Sequence, residues 1–345
     1  MTIKGIYIYV IAPEINSTDM SGILEVSGVY AINYRKISAI VSDRENAFID
    51  YSDKESLGYL LVHHQKTIEK LMNKGLNHVI PMKLGTIVTT KEEVVKIIAN
   101  GYDLIIDILK KIEHLTEIDI AVTWADFPVI INEIASHPDI ITMKDDILSK
   151  THSLTPIDQV KLGMLIQTKL TEKNTKLELN ILDSLSPISI DIKTHELMND
   201  QMITNSAFLI NENKKEKFEQ IIDQLDEEYK GQLNFKLVGS LPCYSFYTIE
   251  VKELNLEQVE QAKKELDLSE ETSESAIKKA YLGKAKLFHP DTQTKNAEEN
   301  FNKINKAYHT MIDFSTAVRQ AAKENLISMT NKKASENLIL VKIKE

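Results

Sequence analysis

The sequence predicts an α+β protein: two small sheet-plus-helix domains of ferredoxin-like type with a helical hairpin insertion, followed by an all-helical module. Three observations carry this. Period-two apolar alternation recurs in two separated blocks, each interleaved with stretches of helical period. Between the blocks lies a long helical stretch interrupted near Pro138 and Pro156. After "KELNLEQVEQAKK" the pattern is purely helical to about Phe314. The expected domains are 1–126, 127–252 and 253–315, with a tail helix and short strand in 316–345.

The elements follow in order. Residues 4–12 read as a strand, with Ile6, Ile8 and Val10 on one face and Tyr7 and Tyr9 on the other, polar-facing side. "LEVSGVYAINY" and "KISAIVSD" read as the next strands, with Gly28 permitting a bulge or tight turn. "SDKESLGYLLVHHQKTIEKLMNKG" reads as a helix capped by Ser52, with Glu55 as the capping-box partner and Gly75 as terminator. "HVIPMKLGTIV" is a strand and turn, "TKEEVVKIIANGYDLIIDILKKIEHL" a helix, and "EIDIAVTWA" an alternating strand that closes the first domain. The hairpin runs from about Phe127 to Lys173. Then come the strands "SPISIDIK", "NSAFLI" and "LNFKLVGSLPCYSFYTIEV". A helix with Phe218, Ile221, Ile222 and Leu225 on its buried face separates the last two. The pattern gives the terminal strand no partner.

Composition narrows the function classes. A chain of 345 residues with 43% hydrophobic and 27% charged content has apolar material for more than one core. A net charge of −10 opposes bulk attraction to nucleic acid or to an anionic membrane, so neither is expected as a partner. The lone Cys243 forms no internal disulfide and builds no zinc site by itself, which fits a reducing cytosol. The N-terminal apolar run is broken by Tyr7 and Tyr9 and ends at Pro13 without a cleavage pattern, so it reads as a strand. No apolar stretch approaches the ~20 residues that span a bilayer. A cytoplasmic protein is expected.

Catalytic signatures are missing. There is no G-x-G-x-x-G, P-loop or G-x-S-x-G. "HELMN" at 195–199 has no second His for a metal. His63 and His64 stand about 100° apart on a helix and share a ligand poorly. Asp145–Asp146 and Glu227–Glu228 read as solvated faces, Trp124 as core, and Cys243 as a small buried hydrophobe. No catalytic residue, metal or cofactor is expected.

The helical module is more particular. Thr272 or Ser273 caps a helix whose Ile277, Ala280, Tyr281 and Phe288 share one face, with Lys278, Lys279 and Lys286 turned away. It must end near Phe288, because the residue before Pro290 is pushed out of the helical region. His289-Pro290-Asp291 therefore opens a loop, and a second helix starts near Ala297 with Phe301, Ile304, Tyr308, Met311 and Ile312 as its stripe. Two helices so joined pack as an antiparallel hairpin. The pattern resembles a J domain, the DnaJ co-chaperone module. It is carried by Ile277-Lys278-Lys279-Ala280-Tyr281, by His289-Pro290-Asp291 and by the run Phe301 to Tyr308. The resemblance implies that His289, Pro290 and Asp291 contact a DnaK-type chaperone and stimulate its ATPase, with Lys278, Lys279 and Lys286 as electrostatic docking residues. The chain departs from that family at Leu282, Gly283 and Leu287, where basic residues are common, and at Lys284, where a buried Leu is usual.

A second resemblance spans roughly residues 1–252. "KGIYIYVIA", "INYRKISAIVSD", "LVHHQKTIEKLM", "VIPMKLGTIV" and, later, "LVGSLPCYSFYTIEV" are similar in order and spacing to the gas vesicle accessory proteins of the GvpF/GvpL family. Lys83-Leu84, Leu241 and Cys243 depart from its usual residues. This resemblance implies a non-enzymatic role in gas vesicle assembly. The implied partners are the hydrophobic shell protein GvpA and other accessory proteins; physically, a sheet edge can cover such a client by strand addition. Tyr7, Tyr9, Tyr244 and Phe246 are the interface candidates, on the first strand or on the strand carrying the last two. Two alternatives stay open: a general J-domain co-chaperone with another client, and an enzyme with an unrecognised site around His64 and Lys83.

Overall fold

The computed structural model describes residues 4–15, 28–49, 51–151, 153–288, 297–322, 327–328 and 338–344. The chain forms two compact units, one built from residues 1–111 together with 247–345, the other from 112–246.

The first unit begins with β1 (Gly5–Pro13), β2 (Val29–Tyr34) and β3 (Ile37–Arg44), followed by α1 (Lys54–Asn73), β4 (Ile80–Pro81) and β5 (Ile87–Val88). The sheet is antiparallel in the order β2-β3-β1-β4, and β5 also pairs with β1. β1 is therefore a central strand, and Gly5 to Ala12 are all buried. That is why its sequence is apolar on both faces rather than alternating. The cap of α1 is Asp53, whose side chain accepts from the Glu55 and Ser56 amides, one residue beyond the expected Ser52. Gly75, at φ +96°, ends the helix as expected: its amide reaches Met72 O, and the Leu76 amide reaches back to Leu71 O. The single helix expected next is two, α2 (Lys91–Asn100) and α3 (Tyr102–Ile112). Gly101 separates them at a close approach, where a Cβ would lie 2.6 Å from Val341 Cγ1.

The second unit begins one strand earlier than the sequence implies. β6 (Leu115–Trp124) is the centre of the second sheet, not the last strand of the first. Three helices follow, α4 (Phe127–Ala135), α5 (Pro138–Thr151) and α6 (Pro156–Leu185), then β7 (Ser189–Thr194), β8 (Met202–Asn211), α7 (Lys215–Glu228) and β9 (Leu233–Leu241). The antiparallel order β7-β8-β6-β9 is the ferredoxin-like one, with the helices of the insertion taking the place of the first crossover. One core joins Ile118, Ile120 and Val122 of β6 to Phe208, Phe218, Ile222 and the inner side of α6.

The chain then returns to the first unit. β10 (Ile249–Glu253) leads into α8 (Leu256–Glu265), β11 (Glu271–Thr272), α9 (Glu274–Leu287), α10 (Ala297–Ala322), β12 (Ile327–Ser328) and β13 (Ile339–Ile343). The terminal strand, which the sequence could not place, pairs antiparallel with β10 from Ile249↔Ile343 to Glu253↔Ile339. Ile249 also bridges Met82, and the Lys83 amide donates to Ile249 O at 2.8 Å. On the other side of β13, the Gln320 side chain donates to Val341 O and accepts from Val341 N. Asn100 Nδ2 donates to Ile339 O at 3.3 Å. α8, α9 and α10 share a core with Leu338 and Leu340 of this strand. α10 runs unbroken past Phe314, where the sequence suggested two helices.

Candidate functional site

Tyr7 and Tyr9 do not face solvent, contrary to the reading of the strand's second face. Both are buried, because α1 lies across that side of β1. The Tyr7 hydroxyl bonds His64 Nδ1 at 2.9 Å and accepts from the Gly85 amide at 3.2 Å. Tyr9 bonds Ser42 at 3.0 Å and His63 Nδ1 at 3.3 Å. Burial pushes the Tyr7 phenol up to about 12. Burial, with His63 adding to it, pulls His64 down to about 4. Tyr7 and His64 are therefore both neutral at pH 7, and their hydrogen bond works as polar packing. Beside it lies a cavity of about 810 Å³, lined by Arg44 at the end of β3 and by Tyr59, Val62, His63, Lys66 and Lys70 of α1. Tyr59, Leu61 and Val62 are exposed on the same helix, and Phe48 and Tyr51 just before it. Lys83 forms an ion pair with Glu250 rather than turning to His64, so the two residues of the enzymatic alternative do not converge.

Tyr244 and Phe246 stand on a turn, not on a strand. β9 ends at Leu241, and Tyr244 N to Pro242 O closes the reversal at 2.6 Å. Phe246 is buried with the Lys193 ammonium 5.8 Å from its ring centre, and Tyr244 is half-buried. Between them, Ser245 reaches a group that sequence reasoning missed. Glu117, buried on β6, accepts from both Ser245 N and Ser245 Oγ, and that hydroxyl also lies 3.2 Å from His195 Nε2. Burial pushes Glu117 up to about 8 and, with Glu117 close by, Cys243 up to about 12, so the thiol stays protonated. The available signal was the pair Glu117 and Asp119, two acids two residues apart on the polar face of an otherwise apolar strand.

In the helical module, Ser273 caps α9 through the Ala276 amide, as the sequence allows. Ile277 is buried, and Tyr281 stacks on Tyr308 of α10 with ring centres 4.3 Å apart. Lys278, Lys279 and Lys286 are exposed on the opposite face, and Leu282 and Leu287 are exposed there with them. Lys284, at a position facing the core, turns its ammonium to the end of α8: it donates to Glu265 O and pairs with Asp267, each at 2.6 Å. A cation at a helix C-terminus satisfies a terminal carbonyl and the helix dipole together. His289, Pro290 and Asp291 lie outside the described residues. Among the described residues no cluster of His, Cys, Asp and Glu could hold a metal ion, and no helix is long and apolar enough to cross a membrane.

Comparison with known proteins agrees with this geometry. The family model "Gas vesicle synthesis protein GvpL/GvpF" matches residues 5–248, and the DnaJ domain model matches residues 264–317. Gas vesicle protein F of Nostoc sp. is 23% identical over 205 residues, covering 58% of this chain and 83% of that protein. Gas vesicle protein F1 of Halobacterium salinarum is 21% identical over 250 residues, covering 72% and 95%. The crystal structure of GvpF from Anabaena sp. superposes with a TM-score of 0.59 at 20% identity, covering 70% of this chain and 98% of that one. GvpF from Microcystis aeruginosa gives 0.56 at 22% identity, covering 71% and 99%. At these identities the structural likeness establishes the fold. Taken with the family match over most of its length, this chain belongs to the gas vesicle GvpL/GvpF family and carries a DnaJ domain behind the family region.

Proposed function

We propose that this chain is a non-enzymatic gas vesicle assembly factor, working in the cytoplasm and at the growing vesicle. It holds the hydrophobic shell protein GvpA and brings a DnaK-type chaperone to it. The observation that carries this reading is the joining of a GvpL/GvpF region and a DnaJ domain in one chain. The helices of the DnaJ region also share a compact unit with the first α+β sheet. An aggregation-prone shell subunit needs its apolar surface covered until it is incorporated, and an ATP-driven chaperone can release it. The surface best suited to the client is the cavity beside α1, with Tyr59 and Val62 at its rim. Tyr7 and Tyr9, almost fully buried, form part of that cavity's wall. Other gas vesicle accessory proteins are further partners by family membership.

Two measurements test the reading. DnaK ATPase turnover should rise with the full chain and fall back with His289→Gln; no stimulation by the unaltered chain removes the chaperone half. Pull-down of shell protein should succeed with the full chain and weaken with Tyr59→Ser/Val62→Ser. Failure of the unaltered chain to bind shell protein removes the client half. Truncation after Lys252 is a poor probe, because it strips β10 of its partner strand.

A further inference from the structure

The outer face of α6 carries a stripe of apolar side chains and threonines, flanked on one side by charges. The inner face buries Leu170, Ile181 and Leu185 in the core of the second unit. On the opposite face Ile157 (67% exposed), Val160, Met164 (65% exposed) and Leu179 lie open, with exposed Thr168, Thr171 and Thr175 between them. The threonines do not break the stripe: Thr168 Oγ1 donates to Met164 O and Thr171 Oγ1 to Gln167 O, which folds both hydroxyls back onto their own helix. What they offer outward is methyl.

The spacing has a period. Ile157, Thr168 and Leu179 stand eleven apart, as do Val160 and Thr171, and Met164 and Thr175. Eleven residues in three turns is about 3.67 per turn, near the natural helix, so the stripe runs almost straight. From Ile157 to Leu179 it is roughly 33 Å long. One flank carries exposed Lys161, Glu172 and Lys176, at about 40°, 60° and 100° from the direction of Ile157, and Glu172 also lies 3.6 Å from the Lys169 ammonium. On the other flank polar groups turn inward: Asn174 accepts from Trp124 Nε1, and Glu178 from Thr204.

We propose that α6 pairs antiparallel with α6 of a second copy of this chain, about a two-fold axis that runs between the two helices level with Ile166 and Gln167. The charges select this occupant. In that register Lys161 of each copy faces Glu172 of the other, because the two residues are equidistant from the axis. A parallel pair would set like charge against like. The uncharged stripes then interdigitate along the whole contact, as an isologous interface requires.

Sedimentation equilibrium of the full chain at low salt tests the pairing, with circular dichroism as the check on folding. A reversible dimer is expected. Met164→Lys and Thr171→Glu, both on an exposed face, should give a folded monomer. Lys161→Glu and Glu172→Lys should each weaken the dimer by about threefold to tenfold, since each pair occurs twice, and the double variant should restore it. A wild-type monomer at all concentrations, or a dimer indifferent to Met164→Lys, overturns the proposal. So does a monomer that loses shell protein on Met164→Lys, which would make this face a client surface.

Discussion

Ser245 holds Glu117 with both of its donors, the backbone amide on Oε2 and the hydroxyl on Oε1, each at 2.8 Å. These bonds tie the turn after β9 to the middle of β6. Burial outweighs them and raises the carboxyl to about 8, with Asp119 adding to the rise. The folded protein thus keeps a proton that the unfolded chain, titrating near 4.5, gives up. Stability from this group is full below about pH 4.5 and is lost as pH rises through about 8. Buried His64, held near 4 against an ordinary 6.5, works in the opposite sense at lower pH. The clean window is therefore pH 6.5 to 8. Unfolding midpoints should decline across it in the wild type and decline less in Glu117→Gln, where Asp119, also raised by burial, is the carboxyl left to ionise. A variant that tracks the wild type would show that the carboxyl holds no such proton.

Tyr7→Phe keeps the ring and removes one hydroxyl. That hydroxyl bonds His64 and accepts from the Gly85 amide in a buried setting. A lost buried hydrogen bond that leaves its partner unsatisfied costs about 1–3 kcal/mol. Urea denaturation should show a loss of that size. A surface contact residue would show none, so the measurement separates the structural role from the interface role.

Two glycines should respond in opposite directions. A Cβ at Gly283, exposed within α9, meets nothing within 4 Å, so Gly283→Ala should stabilise the module by about 0.5–1 kcal/mol. A Cβ at Gly101 meets Val341 at 2.6 Å. Gly101→Ala should loosen β13, read as faster hydrogen exchange in 339–343. Equal protection in both proteins would mean that Gly101 is not needed for the close approach.

Ending the chain at Asn337 removes Leu338, Ile339, Leu340 and Val341, none of them more than 5% exposed. Burial of such side chains stabilises by about 1.5–3 kcal/mol each. Four of them approach the whole stability of a domain, about 5–15 kcal/mol. The truncated chain should lose the cooperative unfolding transition of the first unit and aggregate through β10. An unchanged calorimetric transition would refute this.

Local signals in the sequence were read well where they act alone. Gly75 ended its helix, Ser273 capped α9, and α9 ends at Leu287 with Phe288 as its C-cap, where its end was expected. The signals failed where the partner is distant. β6 alternates as any half-buried strand does, and nothing in "EIDIAVTWA" says that its neighbours are β8 and β9. Tyr7 and Tyr9 obey the period-two rule, which gives faces but not which face is covered; α1 decides that. Glu117 went unnoticed because the residue that meets it, Ser245, lies 128 positions away. The short apolar "LILVKIK" was legible as a strand, but its partner β10 lies across the whole helical module.

The pairing of Glu253 with Ile339 has a topological consequence. β10 and β13 are adjacent antiparallel strands, so everything from Leu254 to Leu338 occupies the place of a hairpin turn. A flexible loop of that length would cost about 3 kcal/mol more to close than a two-residue turn. A helical module with neighbouring ends, whose core takes in Leu340 of β13, avoids most of that cost. The DnaJ helices thus enter the fold at one point of a strand ladder without rethreading the sheet, while Leu340 of β13 ties them to it through a shared core.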